Sequence, residues 1–188
     1  MRENLKIDFL IENQSLLLHY QTQIKWLEIG SQLMSVEDKL QIRKIFPNAK
    51  IVQHYGLTEA SRTTFLRLDE TPEDKLDSVG SCYFGVEVKL SANNQIMIKG
   101  PHVASYLIQD GMAVSQVDEQ GWLKTGDLGS IEDGYLYYQG RSDHLINCAG
   151  VKISPDWLEN QILQHFNLSS GLAITKCLDD ARGEIVVI

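Results

Sequence analysis

The sequence predicts an α/β fold joined to a β-rich subdomain, and three observations lead to that class. A helix-forming segment lies between two apolar, strand-like runs near the start of the chain. Short alternating segments separated by turn dipeptides follow. The glycine content rises at the same place: residues 1–55 contain one glycine and residues 56–150 contain eleven. Because glycine marks turns, the chain becomes turn-rich from about residue 56 onward.

The first stretch predicts a βαβ unit with parallel strands. The apolar run 25–29 ends at Gly30 and the run 50–55 ends at a second glycine, so each reads as a strand. Between them, Ser35 is a favourable helix N-cap and Pro47 stops the helix. A strand, a helix and a strand at this spacing are typical of parallel pairing.

The second stretch, residues 76–139, predicts an antiparallel sheet or small barrel. Its apolar residues alternate in short segments, which is the period of a strand with one buried face. Turn dipeptides separate these segments. The predicted strands are 86–90, 95–99 and 135–138, and the turns are Asn93-Asn94, Gln120-Gly121 and Asp133-Gly134.

The third stretch combines a helix with strands. Ser154 is a favourable N-cap and Pro155 suits the first helical position. Two strand-like runs follow, at 172–175 and 184–188. The last of these ends the chain inside an apolar run, so we expect a cut rather than a natural terminus.

Composition excludes several classes of function. The formal net charge of −8 argues against nucleic-acid binding, which depends on lysine and arginine. No window reaches the roughly 18 apolar residues of a membrane helix, and no signal peptide is recognisable, so we expect a cytoplasmic protein. Cys82, Cys148 and Cys177 are widely spaced without a C-x-x-C motif, which argues against a disulfide framework or zinc site.

The first polar cluster follows the second predicted strand, where open α/β sheets bind their ligands. There the Thr58 hydroxyl could hold a phosphate oxygen, and the Glu59 carboxylate a divalent cation. Alternatively, Thr58 caps a helix and Glu59 interacts favourably with the helix dipole. The residues alone leave both interpretations open.

Two further clusters lie in the second half of the chain. Asp127 follows Gly126 in a predicted turn between strands, where its carboxylate could accept hydrogen bonds from a diol such as ribose. An Asx-turn explains the same pair. Arg141 and Asp143 lie in the polar segment 139–144 and form the other cluster. The alternative interpretation of this cluster is an ordinary exposed loop, in which the two residues form an ion pair that adds little stability.

Four motifs bring these clusters together in one order. They are Gly30-Ser31, Tyr55-Gly-Leu-Thr-Glu59, Gly121-Trp-Leu-Lys-Thr-Gly-Asp127 and the segment 140–155. Together they resemble the adenylate-forming superfamily, which contains acyl-CoA synthetases, the adenylation domains of non-ribosomal peptide synthetases, and firefly luciferase. The resemblance covers nearly the whole chain.

The resemblance implies an AMP-forming acid–thiol ligase. Such an enzyme joins a carboxylic acid to ATP in the presence of Mg²⁺, giving an acyl-adenylate, and then passes the acyl group to CoA or to the phosphopantetheine thiol of an acyl or peptidyl carrier protein. The implied segments are the α/β end of a large N-terminal domain, its β-barrel-like subdomain, a hinge and a truncated α+β C-terminal domain. Their expected bounds are 1–75, 76–139, 140–144 and 145–188.

The resemblance also assigns roles in the first half of the chain. Gly30-Ser31 would border the adenine and acyl pockets, and Tyr55-Gly56 would flank the adenine. Thr58 would contact the α-phosphate, and Glu59 would bind Mg²⁺. Thr58 and Glu59 are therefore expected to take part in catalysis.

Further roles fall in the second half. Asp127 would hold the ribose hydroxyls, with Arg141 assisting there. Asp143 would lie at the hinge about which the C-terminal domain rotates between the two half-reactions. Lys152 lies in a loop that approaches the active site during thiol transfer and counts as a catalytic candidate. Asn147 stands where the family often has lysine, so no role is assigned there.

Two motifs of the family have no counterpart in these 188 residues. They are the Ser/Thr/Gly-rich phosphate loop ending in Pro-Lys and the catalytic lysine near the family's C-terminus. We therefore expect a fragment that is inactive alone. The alternative is a degenerate nucleotide-binding or interaction subunit of a split adenylating enzyme, with the missing N-terminal portion supplied by another chain.

Overall fold

The structure, a computed structural model, is divided into two compact units that we describe separately. Its described residues are 10, 11, 13–30, 34–166, 172–179 and 183–188. The first unit takes its described residues from Met1–Val86, Gly100–Ala104 and Glu132–Tyr137. The second unit takes them from Glu87–Lys99, Ser105–Ile131 and Tyr138–Ile188.

Strands dominate the described part of the chain. The helices are α1 (Gln14–Leu17), α2 (Val36–Ile45) and α3 (Pro155–Phe166), with a 3₁₀ turn at Glu73–Lys75. The strands are β1 (Trp26–Gly30), β2 (Lys50–Leu57), β3 (Ala60–Arg67), β4 (Ser81–Cys82), β5 (Glu87–Leu90), β6 (Gln95–Lys99), β7 (Tyr106–Gln109), β8 (Met112–Ser115), β9 (Leu123–Glu132), β10 (Tyr135–Arg141), β11 (Ile146–Cys148), β12 (Val151–Ile153), β13 (Thr175–Asp179) and β14 (Gly183–Val187). Within the described ranges, no helix is both long enough and apolar enough to cross a membrane.

The first unit contains the predicted βαβ motif. β1 and β2 pair in parallel, with Trp26 opposite Lys50, and α2 connects them. The Ser35 hydroxyl accepts a hydrogen bond from the Asp38 amide at 3.1 Å, so Ser35 caps α2 as its sequence predicts. The sheet continues in the order β1-β2-β3-β4, with β3 and β4 antiparallel to their neighbours.

The core of the first unit lies between α2 and this sheet. Burial of apolar surface stabilises the fold by about 25 cal/mol per Å². The helix α2 is therefore oriented with its apolar face toward the sheet. That face carries Ile42 and Ile45, each less than 5% exposed. The remaining fully buried members of the cluster are Met34, Phe46, Ala49, Ile51, Leu66, Leu68 and Leu76.

Lys39 is an exception on the buried face of α2. Its side chain is 1% exposed, and its Nζ donates to the carbonyl oxygens of Leu76 at 2.5 Å and Ser78 at 3.1 Å. Burial lowers the pKa of this amine to about 8, although the nearby Asp77 carboxylate opposes that shift. The amine therefore ties α2 to the segment that follows the 3₁₀ turn.

We expect the stability of the protein to rise between about pH 8 and pH 10.5, by about 3 kcal/mol from Lys39 alone. In that window the unfolded chain binds a proton on Lys39 that the folded protein has lost, so raising the pH favours folding. Urea unfolding of the wild type and of Lys39→Met across the window measures the difference. Lys44→Met, on the exposed side of the same helix, is the matched control. A wild-type curve parallel to that of Lys39→Met would contradict the expectation.

Antiparallel strands in the second half bear out the predicted turn-rich pattern. One sheet has the order β10-β9-β6-β5, and its strands include the predicted segments 95–99 and 135–138. The Asp133-Gly134 turn has φ values of 51° and 81°, as a two-residue type I′ turn requires. A separate two-stranded hairpin, β7-β8, exposes every residue of both strands.

The C-terminal part of the second unit is a four-stranded sheet in the order β12-β11-β14-β13, with α3 following β12. The Ser154 hydroxyl accepts a hydrogen bond from the Trp157 amide at 3.3 Å, which confirms the predicted N-cap. The predicted strand 172–175 is wrong, because β13 begins at Thr175. The Ile174 amide instead donates to the Glu159 carboxylate at 2.6 Å, outside any strand ladder.

Candidate functional site

The Thr58-Glu59 pair forms the turn of the β2–β3 hairpin. Leu57 and Ala60 are directly paired on either side of it. The alternative interpretation, in which Thr58 caps a helix, is therefore wrong: the following segment continues as β3. Thr58 is exposed and Glu59 is half-buried at the tip of the turn. The sequence missed β3 because two polar residues in it, Thr63 and Thr64, are fully buried.

A bulge in β3 shapes the hairpin below this turn. The register shifts between Tyr55 and Leu57 because β3 has two additional residues there, and Arg62 takes a φ of 58°. Gly56 lies against the bulge, where an added Cβ would approach the Arg62 nitrogen to 2.5 Å. Glycine is therefore required at position 56, and the half-buried Tyr55 next to it is held in a fixed register opposite Thr64.

Gly30 ends β1 beside β2. A Cβ added to it would collide with the His54 imidazole, so the missing side chain makes room for that ring. The His54 Nε2 lies 3.4 Å from the Glu28 carboxylate, which also accepts from the Arg62 Nε at 2.7 Å. Burial lowers the pKa of His54, against the raising effect of Glu28. Ser31, the other member of this motif, lies outside the described residues.

Asp127 lies within β9 and not in a turn between strands, which corrects the expectation for this residue. A register shift opposite Gln95 marks a bulge in β9, and Gly126 takes a φ of 81° there. The Asp127 amide donates to the Thr125 hydroxyl at 3.0 Å, and the side chain is 5% exposed. The bulge turns a carboxylate into a sheltered position while the strand continues.

Arg141 connects Asp127 to Asp143. Its Nη1 lies 3.4 Å from the Asp127 carboxylate, while its Nε and Nη2 contact the two Asp143 oxygens at 2.9 and 3.0 Å. Hydrogen bonding to Arg141 lowers the pKa of Asp143. The neighbouring Ser142 donates both its amide and its hydroxyl to the Gly126 carbonyl, each at 2.8 Å. The bulge and the end of β10 are thereby joined around two carboxylates and one guanidinium.

Tyr138 belongs to the same neighbourhood, and the sequence did not single it out. Burial raises the pKa of its phenol, and the Asp127 and Asp156 carboxylates reinforce the shift. The phenol is therefore neutral at pH 7. One signal was available in the sequence: Tyr138 precedes Gly140-Arg141 by one intervening residue, so it leads directly into the third cluster.

Lys152 lies in β12 opposite Asn147, and it is exposed. It lines a cleft of about 910 Å³ within the second unit, together with Ser142, Ser154 and Trp157. The Asn147 amide donates to the Glu184 carboxylate at 2.7 Å. Of the described residues that line the cleft, Lys152 is the only charged one, and the others are uncharged polar or apolar.

The candidate residues thus form two sets. Gly30, Tyr55, Gly56, Thr58 and Glu59 lie in the first unit. Asp127, Arg141, Asp143 and Lys152 lie in the second. Within the second set, the structure brings Asp127, Arg141 and Asp143 into direct contact.

The chemistry of the first set fits a magnesium ion that is held mainly by a substrate. Among the described residues, the Glu59 carboxylate has no hydrogen bond or ion pair, and Thr58, which precedes it in the turn, is exposed. No group of three or more histidine, cysteine or acidic side chains in the described ranges could hold a metal ion. Mg²⁺ in nucleotide sites uses one or two carboxylates plus phosphate oxygens, which is the arrangement that a lone Glu59 allows.

Known proteins share this sequence and fold over part of their length. The 4-coumarate–CoA ligase 1 of Glycine max is 31% identical over 182 residues, which cover 88% of this chain and 62% of that protein. The 2-succinylbenzoate–CoA ligase of Bacillus pumilus (strain SAFR-032) is 33% identical over 146 residues, covering 72% of this chain and 30% of that one. The O-succinylbenzoate coenzyme A synthetase (MenE) of Bacillus subtilis, solved with ATP and a magnesium ion, superposes with a TM-score of 0.73 at 28% identity, covering 92% and 38%.

These similarities confirm the resemblance found in the motifs. The relatives are adenylate-forming enzymes, and this chain is homologous to part of them. It spans 62% of the Glycine max relative and 30% of the Bacillus pumilus one. No protein-family model matches the sequence.

Proposed function

We propose that this chain is part of an AMP-forming acid–thiol ligase of the acyl-CoA synthetase type. Such an enzyme couples a carboxylic acid to ATP, forming an acyl–phosphate bond to AMP and releasing pyrophosphate. A thiol then attacks the acyl carbon, forming a thioester and releasing AMP. CoA is the proposed acceptor because the relatives are CoA ligases.

The contact between Asp127 and Arg141 is the observation that carries this proposal. A sheltered carboxylate beside a guanidinium can accept hydrogen bonds from two vicinal hydroxyls while its charge stays compensated. We assign Asp127 to the ribose of the nucleotide and Arg141 to the same region. Arginine suits this task because its planar group donates in fixed directions, which lysine does not reproduce.

The first unit would contact the base and the phosphates. Gly30-Ser31 would border the adenine and acyl pockets, and Tyr55-Gly56 would flank the adenine. Thr58 would donate its exposed hydroxyl to the α-phosphate, and Glu59 would provide a carboxylate ligand to Mg²⁺. When bound, Mg²⁺ would compensate phosphate charge.

The second unit would control the thiol-transfer step. We propose that Asp143 lies at the hinge 140–144 and that Lys152 approaches the active site during transfer. β10 ends at Arg141 and β11 begins at Ile146, so Asp143 lies in the segment that connects the two strands. On this proposal, the N-terminal domain ends with two segments: residues 1–75 are its α/β part and residues 76–139 its β-barrel-like subdomain. The C-terminal domain begins with residues 145–188.

Nucleotide titration of the 188-residue chain tests the proposal. We expect ATP and AMP to bind. ATP should bind more tightly in Mg²⁺ than in EDTA, because the Glu59 carboxylate and the phosphates are both negatively charged and attract each other only through a cation. We also expect no pyrophosphate release with any carboxylic acid. The sequence lacks the family's phosphate loop, and loss of even one preorganised donor costs about 10²–10³ in rate.

Two results would contradict these expectations separately. A folded chain that binds neither ATP nor AMP at millimolar concentration would overturn the nucleotide assignment. Carboxylate-dependent pyrophosphate release by the chain would overturn the expected inactivity. Nucleotide binding that requires a second polypeptide would instead support the alternative, a subunit of a split adenylating enzyme.

A further inference from the structure

The Thr58-Glu59 turn is anchored through the backbone on its C-terminal side. The hairpin ladder ends at the Leu57 and Ala60 pair, so it does not hold the turn residues themselves. The Glu59 carbonyl accepts from the Ala104 amide at 2.8 Å. The Ala60 carbonyl accepts from the Thr63 hydroxyl, also at 2.8 Å. These two bonds fix the peptide groups that follow the Glu59 side chain.

The Thr63 hydroxyl indicates which ring nitrogen of His102 carries the proton. Thr63 is fully buried, and its Oγ1 lies 3.1 Å from the His102 Nε2. A hydroxyl has one proton, and here that proton is directed to the Ala60 carbonyl. The oxygen is then the acceptor in its contact with the imidazole, which favours the tautomer of His102 with its proton on Nε2.

The other ring nitrogen of His102 supports this assignment. Nδ1 is buried and has no hydrogen-bond partner among the described residues. A proton there would be a buried donor without an acceptor, which is costly. Burial also lowers the pKa of His102. A Cβ added to Gly100 would lie 2.9 Å from this nitrogen, so the absence of a side chain at position 100 leaves room for the ring.

We propose that His102 is a positioning residue for Glu59, acting through Thr63 and through its own segment, Gly100–Ala104. The inference rests on the proposed function, in which the Glu59 carboxylate contacts Mg²⁺. A turn that is already ordered loses less conformational freedom when it binds. Residues that orient a metal ligand through hydrogen bonds typically contribute 10–100-fold to metal affinity. His102 and Thr63 would act on the backbone of the Glu59 turn and not on the carboxylate directly, so we expect an effect at the lower end of that range.

Matched substitutions separate this role from general packing. Thr63→Val removes the hydroxyl at nearly constant volume, while Thr63→Ser keeps it. His102→Leu removes the ring donor, while His102→Gln keeps an N–H at a similar reach. The measured quantity is the ratio of ATP dissociation constants in EDTA and in Mg²⁺. We expect this ratio to fall by about tenfold in Thr63→Val and His102→Leu, and to stay close to the wild-type value in the two conservative variants.

The combined Thr63→Val and His102→Leu variant completes a double-mutant cycle. Because the two residues act through one hydrogen bond, the double variant should lose no more than either single variant. If the ratio is unchanged in both single variants but is lost in Glu59→Gln, the positioning role is overturned and the proposed function stands. If Glu59→Gln also leaves the ratio unchanged, the proposed metal role of Glu59 fails instead.

A second measurement tests the positioning role without any nucleotide. ¹⁵N NMR of the imidazole should show the proton on Nε2 of His102. Amide hydrogen exchange at Ala104 should be faster in Thr63→Val than in Thr63→Ser, because the bond to the Glu59 carbonyl loses its support. A proton on Nδ1, or equal exchange in the two variants, would overturn the proposal even in a chain that binds no ATP.

Discussion

Replacing Asp127 with alanine is expected to weaken ATP and AMP binding by about a hundredfold, since hydrogen bonds to a charged group contribute about 1.5–3 kcal/mol each and 1.4 kcal/mol is tenfold. The carboxylate is 5% exposed and lies beside Arg141, so its interaction with a ribose diol would be little screened by water. Isothermal titration calorimetry with each nucleotide measures the loss of affinity. The loss should be equal for ATP and AMP, because both contain the same ribose.

Two controls accompany this substitution. Glu119→Ala removes one negative charge from an exposed position of the second unit and should leave both affinities unchanged. Asp127→Asn keeps the side-chain shape, so thermal unfolding of that variant distinguishes loss of binding from loss of fold. Wild-type affinity in a folded Asp127→Ala variant would remove Asp127 from the nucleotide site.

Replacing Gly140 with alanine is expected to lower the free energy of unfolding by about 3 kcal/mol, from backbone strain of 1–3 kcal/mol and the loss of a helix cap worth about 1. Gly140 has a φ of 101°, which a residue with a side chain rarely adopts. Its added Cβ would collide with the Ser154 hydroxyl, which caps α3. Urea unfolding monitored by circular dichroism measures the change.

Gly111→Ala is the matched control for Gly140→Ala. Gly111 has a φ of 78° in the same unit, but an added Cβ there meets no atom within 4 Å. It should therefore show the backbone strain without the collision. Adding Ser154→Ala to Gly140→Ala should cost little further stability, because the collision has already displaced the capping hydroxyl. Equal losses in Gly140→Ala and Gly111→Ala would show that the contact with Ser154 has no energetic effect.

Local signals explain which elements could be predicted from the sequence. The Ser35 and Ser154 caps, the Asp133-Gly134 turn and the apolar runs of β1 and β2 depend on residues within a few positions of each other. The interactions that form these elements are local in sequence, so the prediction needed no knowledge of distant segments, and the structure contains the elements as predicted. The motif-based resemblance held for the same reason, because it is carried by short contiguous stretches.

Elements whose environment comes from distant segments could not be predicted in this way. β3 breaks the period of two at its Arg62 bulge, so the adjacent Thr63 and Thr64 are both buried. The Thr64 hydroxyl is satisfied by the Val79 carbonyl at 2.6 Å, fifteen residues away in sequence. Lys39 likewise occupies an apolar helix face because carbonyls 37 and 39 positions away receive its protons.

The candidate site divides along the same line. The sequence by itself predicted which side chains would carry the chemistry: Glu59, Asp127, Arg141 and Asp143 stand in motifs whose order is readable without coordinates. Only the tertiary structure decided that Asp127 lies sheltered within a strand, and that Arg141 contacts both aspartates. It also decided that the His102 ring lies within hydrogen-bond distance of the Thr63 hydroxyl. The reason is physical: residue type sets what a group can donate or accept, whereas burial and partners arise only when distant segments pack together.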